Sequence, residues 1–64
     1  MTEDGKEHYI QIMSIIGKGV SNLLMIKDVI LREDLIIELK QLKKEEVNPK
    51  IKPFFRDAIR IVRE

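Results

Sequence analysis

The chain has 64 residues, of which 44% are hydrophobic and 36% are charged, and its formal net charge is +1. This length allows one domain, residues 1–64, and the lack of cysteine excludes a disulfide scaffold and a thiolate metal site. The apolar content is too high and the net charge too low for a disordered chain. A core of this size is marginal alone, because such a chain buries only about 60% of its unfolded surface.

The first predicted helix covers residues 4–16. Its apolar residues follow the i, i+3, i+4, i+7 spacing of one helical face: Tyr9, Ile12, Met13 and Ile16. A strand is the alternative, because the β-branched Ile10, Ile12 and Ile16 alternate with other residues. In both interpretations Gly17-Lys18-Gly19 forms a turn, and in the alternative it joins a β-hairpin.

The second predicted helix covers residues 21–46, with Ser21 as its N-cap. Its apolar residues occupy most of the helical circumference as far as Leu39, so nearly all of its surface must be buried. The charged cluster Arg32-Glu33-Asp34 offers an alternative, in which the helix breaks and Asp34 caps a new one. The sequence does not decide between one long helix and two.

The third predicted helix covers residues 50–63 and has the clearest pattern. Asn48 is a suitable N-cap, Pro49 suits the first helical position, and Pro53 is tolerated in a first turn. The apolar residues repeat at i, i+3, i+4, i+7, i+8 and i+11: Ile51, Phe54, Phe55, Ala58, Ile59 and Val62. This spacing predicts an amphipathic helix whose phenylalanines belong to the core.

Together these segments predict an all-α, three-helix domain that forms a homodimer. One or two neighbouring helices cannot cover a segment that is apolar on two sides, and a monomer would expose the remainder. Association of two copies is the commonest solution. The predicted interface comprises Leu24, Met25, Val29, Leu31, Leu35, Ile36 and Leu39.

The sequence offers no candidate catalytic residue, metal site or cofactor site. His8 is the single histidine, and a lone histidine near an acidic terminus is typical of a solvent-exposed residue. Asp34 and Glu38 share a helical face, but such a pair is typical of a solvated polar strip. Gly17-Lys18-Gly19 lacks the full pattern of a phosphate-binding loop. We therefore predict that the protein is not an enzyme.

The best functional indication is a basic stripe on the last predicted helix. Its four members lie within about 80° of arc, beside the apolar face: Lys52, Arg56, Arg60 and Arg63. Arginine suits carboxylate and phosphate partners, so an acidic protein or a nucleic acid would fit. The alternative is a solvated face paired with acidic residues of the same fold, such as Asp28, Glu33 or Asp34.

We therefore expect a small helical regulator or adaptor that binds another protein and acts as a homo-oligomer. The first alternative is a dimeric nucleic-acid-binding transcriptional regulator that uses the basic stripe. The second is a membrane-surface protein that uses the stretch 9–26. A membrane-spanning segment is not expected, because Lys18, Lys27 and Asp28 interrupt the apolar stretch. The acidic N-terminus lacks the features of a signal peptide, which favours the cytoplasm.

Overall fold

The computed structural model describes the backbone of residues 3–64 and the side chains of residues 6–64. It contains three helices, α1 (Glu3–Leu24), α2 (Arg32–Glu45) and α3 (Lys52–Arg63), and each helix contacts the other two. Residues 3–64 form no strand. The prediction of an all-α, three-helix fold is confirmed, and the β-hairpin alternative for the first segment is wrong.

The first helix is longer than predicted, because α1 runs through Gly17-Lys18-Gly19 to Leu24 instead of ending at residue 16. Ser21 consequently lies inside α1 and does not cap a second helix. A helix tolerates interior glycine at a cost of about 1 kcal/mol relative to alanine. Gly19 is buried, and a Cβ atom there would lie only 3.0 Å from Leu35 Cδ1 and 3.1 Å from Leu39 Cδ2. The glycine therefore permits close packing of α1 against α2.

The predicted helix over residues 21–46 is wrong as a single element, because residues 25–31 form a non-helical connection between α1 and α2. A new helix does begin at the charged cluster Arg32-Glu33-Asp34, as in the alternative, but the break precedes the cluster and Asp34 lies in the first turn instead of at the N-cap. Leu31 is the N-cap of α2 but has no polar side chain. Asp34, in the first turn, accepts a hydrogen bond from the Leu31 backbone N–H at 3.0 Å. Its other carboxylate oxygen lies 3.0 Å from Lys27 Nζ. These two contacts fix where α2 begins.

The start of α2 should make stability pH-dependent. The Leu31 backbone hydrogen bond, and then Lys27, hold the pKa of the Asp34 carboxyl below its ordinary value of 3.8. The stabilisation from these two contacts is therefore fully present above the unfolded-state pKa of Asp34. It is lost as the pH falls through the lower folded-state pKa of Asp34. We expect Asp34→Asn to reduce the Tm at pH 7 in thermal unfolding followed by circular dichroism, and the difference from wild type to vanish in acid. Asp28→Asn is the control and should leave the Tm unchanged, whereas a difference that persisted in acid would contradict the assignment.

The third helix begins at Lys52, two residues later than predicted, with Ile51 as its N-cap and Pro53 in its first turn. The predicted roles of Asn48 as N-cap and Pro49 as first helical residue are wrong. The Asn48 Oδ1 atom instead accepts a hydrogen bond from the Lys50 backbone N–H at 2.9 Å. Asparagine commonly bonds to the backbone two residues ahead in this way, which stabilises a turn in place of a helix start.

The hydrophobic core lies where the three helices meet, and all three contribute to it. Leu39 of α2 is completely buried. The buried apolar side chains are Ile12, Ile15, Leu23, Leu39, Phe55, Ala58 and Ile59. Phe54 packs against this cluster and is partly buried. The predicted core role of both phenylalanines is confirmed, and their burial fixes which side of α3 faces outward.

Candidate functional site

An open groove of about 600 Å³ lies between α2 and α3. Seven of its eight lining residues are lysine or arginine, and the eighth is Ile59. The cations are Lys40, Lys43 and Lys44 of α2 and Lys52, Arg56, Arg60 and Arg63 of α3. We call these seven residues and Ile59 the basic groove.

The packing of α3 explains why the predicted stripe lies on this groove. Phe55, Ala58 and Ile59 are buried, so α3 is held by one face. The positively charged residues occupy the adjacent arc, because they follow one another at intervals of four, four and three residues. The structure brings all four members of the predicted stripe together along one side of the groove.

The α2 side of the groove was not predicted from the sequence. Lys40, Lys43 and Lys44 lie at i, i+3 and i+4, which places them on one helical face. In the sequence, the lysines after Leu42 indicate only an exposed helix end. Nothing local predicts which face of α2 packs beside α3, so their contribution to the groove depends on tertiary structure.

Among the side chains of residues 6–64, most of the groove cations have no carboxylate partner. Within this part of the chain only Arg60 forms an ion pair, with its Nη2 atom 3.5 Å from Asp57 Oδ1. The other six have no carboxylate oxygen within 4.0 Å among the side chains of residues 6–64. Asp34, an acid that the solvated-face alternative paired with the stripe, pairs with Lys27 instead. The groove is therefore a concentration of positive charge that the acidic side chains of residues 6–64 do not pair with, apart from Asp57.

The near-neutral net charge conceals an uneven distribution. The groove contains seven of the twelve basic residues of the chain. The remaining five share the rest of the chain with eleven acidic residues. Positive charge concentrated in this way gives a molecule a directional field, with its positive side at the groove.

A second exposed feature runs from Leu24, the last residue of α1, to Leu31, the N-cap of α2. Residues 24–31 include five large apolar side chains that are exposed, and we call this segment the apolar loop. Met25 is 84% exposed and Val29 is 72% exposed. The other three are Leu24, Ile26 and Leu31. Such a concentration of exposed apolar residues is typical of an interaction surface.

The residues of the predicted dimer interface fall into two groups. Leu24, Met25, Val29 and Leu31 belong to the exposed apolar loop. Leu35 and Ile36 instead pack against the core of the same chain, and Leu39 is completely buried in it. The two groups differ because the chain breaks before α2, and the apolar side of α2 packs against α1 and α3.

His8 is exposed, as predicted, and also connects two helices. Its Nε2 atom lies 2.9 Å from Asp57 Oδ2, and its ring meets the Phe54 ring edge-on at a centroid distance of 4.8 Å. Asp57 therefore lies between His8 of α1 and the groove residue Arg60. Among the described residues, no three His, Cys, Asp or Glu side chains are grouped so that they could hold a metal ion.

Two further findings complete the description. In the described part of the chain, no helix combines the length and the apolar content needed to cross a membrane. Comparisons with protein-family models, curated proteins and solved structures give no match.

Proposed function

We propose that this protein is a non-enzymatic regulator or adaptor of the cytoplasm that acts through two surfaces. The basic groove binds an anionic macromolecule, and the apolar loop joins two copies of the chain. The observation that carries the proposal is the basic groove, in which six of seven cations have no carboxylate partner within 4.0 Å among residues 6–64.

Repulsion among the cations of the groove supports the proposal that it binds an anion. Like charges held close together repel one another and destabilise the folded state. An anion bound between α2 and α3 would relieve this repulsion and stabilise the protein by mass action. The planar guanidinium groups of Arg56, Arg60 and Arg63 present paired N–H donors that match carboxylate and phosphate oxygens.

The groove assignment predicts a specific effect of charge reversal. We expect the double variant Lys43→Glu/Arg56→Glu to weaken binding of a polyanion by at least about tenfold at low salt, because ionic contacts dominate such binding. Fluorescence anisotropy with two labelled probes, a polyglutamate peptide and a DNA duplex, measures the effect.

The matched control is Lys6→Glu/Lys18→Glu, which makes the same change of net charge outside the groove. We expect it to weaken binding by no more than about threefold, since distant charges are screened. Equal losses in the two variants would show that the groove is not the site. Failure of wild-type protein to bind either probe at low salt would refute the proposal.

Self-association is proposed from the exposure of the apolar loop. Four of its exposed residues also belong to the predicted interface: Leu24, Met25, Val29 and Leu31. Burial of each such side chain in a dimer would contribute about 1.5–3 kcal/mol, as an upper bound. The two-fold dimer is the commonest arrangement, in which the loop of one copy covers that of the other.

A charge placed in the apolar loop should abolish dimerisation. We expect wild-type protein to sediment as a dimer and Met25→Glu/Val29→Glu to sediment as a monomer, because a buried unpaired carboxylate is costly. The control is Ile37→Glu/Val47→Glu, which alters apolar residues that are 66% and 90% exposed outside the loop. This control should remain dimeric. A wild-type chain that stays monomeric at high micromolar concentration would contradict the prediction.

A further inference from the structure

We infer that the ligand of the basic groove is the phosphate backbone of double-stranded nucleic acid, bound without recognition of its sequence. This inference rests on the proposed function, because it names the anion that the groove takes.

The lining of the groove argues against an acidic protein segment. Protein partners gain much of their affinity from a few anchors, most often tryptophan, tyrosine or arginine, that fill desolvated pockets at the centre of an interface. The single lining residue with an apolar side chain is Ile59, which is only 7% exposed. The apolar surface of the groove therefore comes mainly from the methylene stems of its lysines and arginines, and the groove is too open to enclose such an anchor. Affinity for nucleic acid, in contrast, can arise almost entirely from contacts between cations and phosphates.

The lining also argues against a single strand. Proteins that bind single-stranded nucleic acid stack its bases on exposed aromatic rings. No aromatic residue lines the groove. Phe54 and Phe55 of α3 pack in or against the core, and the exposed Tyr9 belongs to α1. A duplex needs no such platform, because its bases remain paired and only its phosphates are contacted.

The dimensions of the groove fit a duplex backbone. Lys52 and Arg63 are separated by about 16 Å along α3, at about 1.5 Å per residue. A duplex presents one phosphate of each strand for about every 3.4 Å of its axis. Over about 16 Å of axis each strand also winds through nearly half a helical turn, so the α3 side of the groove can face only about two or three successive phosphates of one strand. Lys40, Lys43 and Lys44 add cations from the other side.

The arrangement of α2 and α3 explains why the protein would not distinguish one DNA base sequence from another. When an α-helix recognises DNA bases, it enters the major groove, which is about 12 Å wide. The cations of this protein line a groove between two helices, each about 10–12 Å in diameter. The pair is too wide to enter, so its basic groove lies across the phosphates and away from the base edges. Contacts of this kind position a protein on DNA but carry no direct sequence information.

The test compares four labelled probes by fluorescence anisotropy: two 20-base-pair DNA duplexes of unrelated sequence, a single strand of the same length and a polyglutamate peptide. We expect the two duplexes to bind within about threefold of each other and more tightly than the other probes. The affinity should fall with salt at a logarithmic slope of about −3.5 to −5.5, as expected for about four to six phosphate contacts.

Variants in which two cations are replaced by neutral residues test whether the salt dependence of DNA affinity arises at the basic groove. Lys43→Gln/Arg56→Gln should reduce the magnitude of the salt slope by about two, whereas Lys6→Gln/Lys18→Gln should leave it unchanged. Circular dichroism checks that both variants keep the helical content of wild type. An unchanged slope in a folded groove variant would overturn the inference.

The outcomes separate this inference from the proposed function. Tighter binding of the peptide or the single strand than of either duplex would overturn the inference and retain an anion-binding groove. A preference of more than about tenfold for one duplex would show sequence recognition and also overturn it. Binding of none of the probes at low salt would overturn both.

Discussion

Leu39→Ala is expected to lower the free energy of unfolding by about 2–5 kcal/mol, the usual cost of truncating a buried leucine. Leu39 is completely buried, and its side chain packs over Gly19 of α1. It also belongs to the cluster that Phe55 and Ile59 of α3 complete, so its loss leaves a cavity bordered by all three helices. The total stability of a domain this size is about 3–10 kcal/mol, so this loss is a large fraction of the whole.

Urea denaturation followed by circular dichroism measures this effect. Ile37→Ala is the matched control, because Ile37 lies in the same helix and is 66% exposed. We expect it to change stability by no more than about 0.5 kcal/mol. Similar losses in both variants would contradict the described core. Dependence of the Leu39→Ala loss on protein concentration would indicate that Leu39 lies between two copies.

Gly19→Val is expected to destabilise the protein by about 1–3 kcal/mol, because extra carbon atoms in a packed contact force neighbours apart. A Cβ atom at this position would already lie 3.0 Å from Leu35 Cδ1 and 3.1 Å from Leu39 Cδ2. The two methyl groups of valine add to this crowding, and the stiff β-branched side chain has few rotamers with which to avoid it. Chemical denaturation gives the magnitude.

Gly17→Val is the control, since a Cβ atom at residue 17 would meet nothing within 4 Å. Valine has a higher helix propensity than glycine, so we expect this variant to gain a few tenths of a kcal/mol. Opposite signs at two glycines separated by one residue would confirm that α1 is continuous and that Gly19 faces α2. A loss at Gly17 equal to that at Gly19 would instead favour the predicted turn.

Much of the candidate site could be predicted from spacing within one helix. The apolar residues of α3 repeat at helical intervals, so they predicted both its buried face and the arc on which Arg56 and Arg60 lie. This works because the periodicity of an isolated helix is a local property. The apolar arc of the predicted helix 21–46 also assigned seven residues to a dimer interface. The structure leaves four of them exposed, Leu24, Met25, Val29 and Leu31, whereas Leu35, Ile36 and Leu39 pack in or against the core of the same chain.

The wrong predictions concern segments whose local sequence is compatible with two different conformations. Gly17-Lys18-Gly19 resembles a turn, yet α1 continues through it, because packing against α2 offsets the poor helix propensity of glycine. The segment after residue 24 resembles a helix in its apolar pattern, yet residues 25–31 are not helical. There, the contacts of Asp34 with Leu31 and Lys27 fix the start of α2.

The sequence by itself determined that this protein is a small all-α domain with an amphipathic, basic last helix, because these properties follow from composition and from the period of 3.6 residues. Only the tertiary structure decided that Lys40, Lys43 and Lys44 face the arginines of α3 across one groove. It also decided that Leu39 belongs to the core and Met25 to the surface. The physical reason is that burial and charge clustering arise from contacts between residues distant in the chain, and helical periodicity does not specify which faces meet.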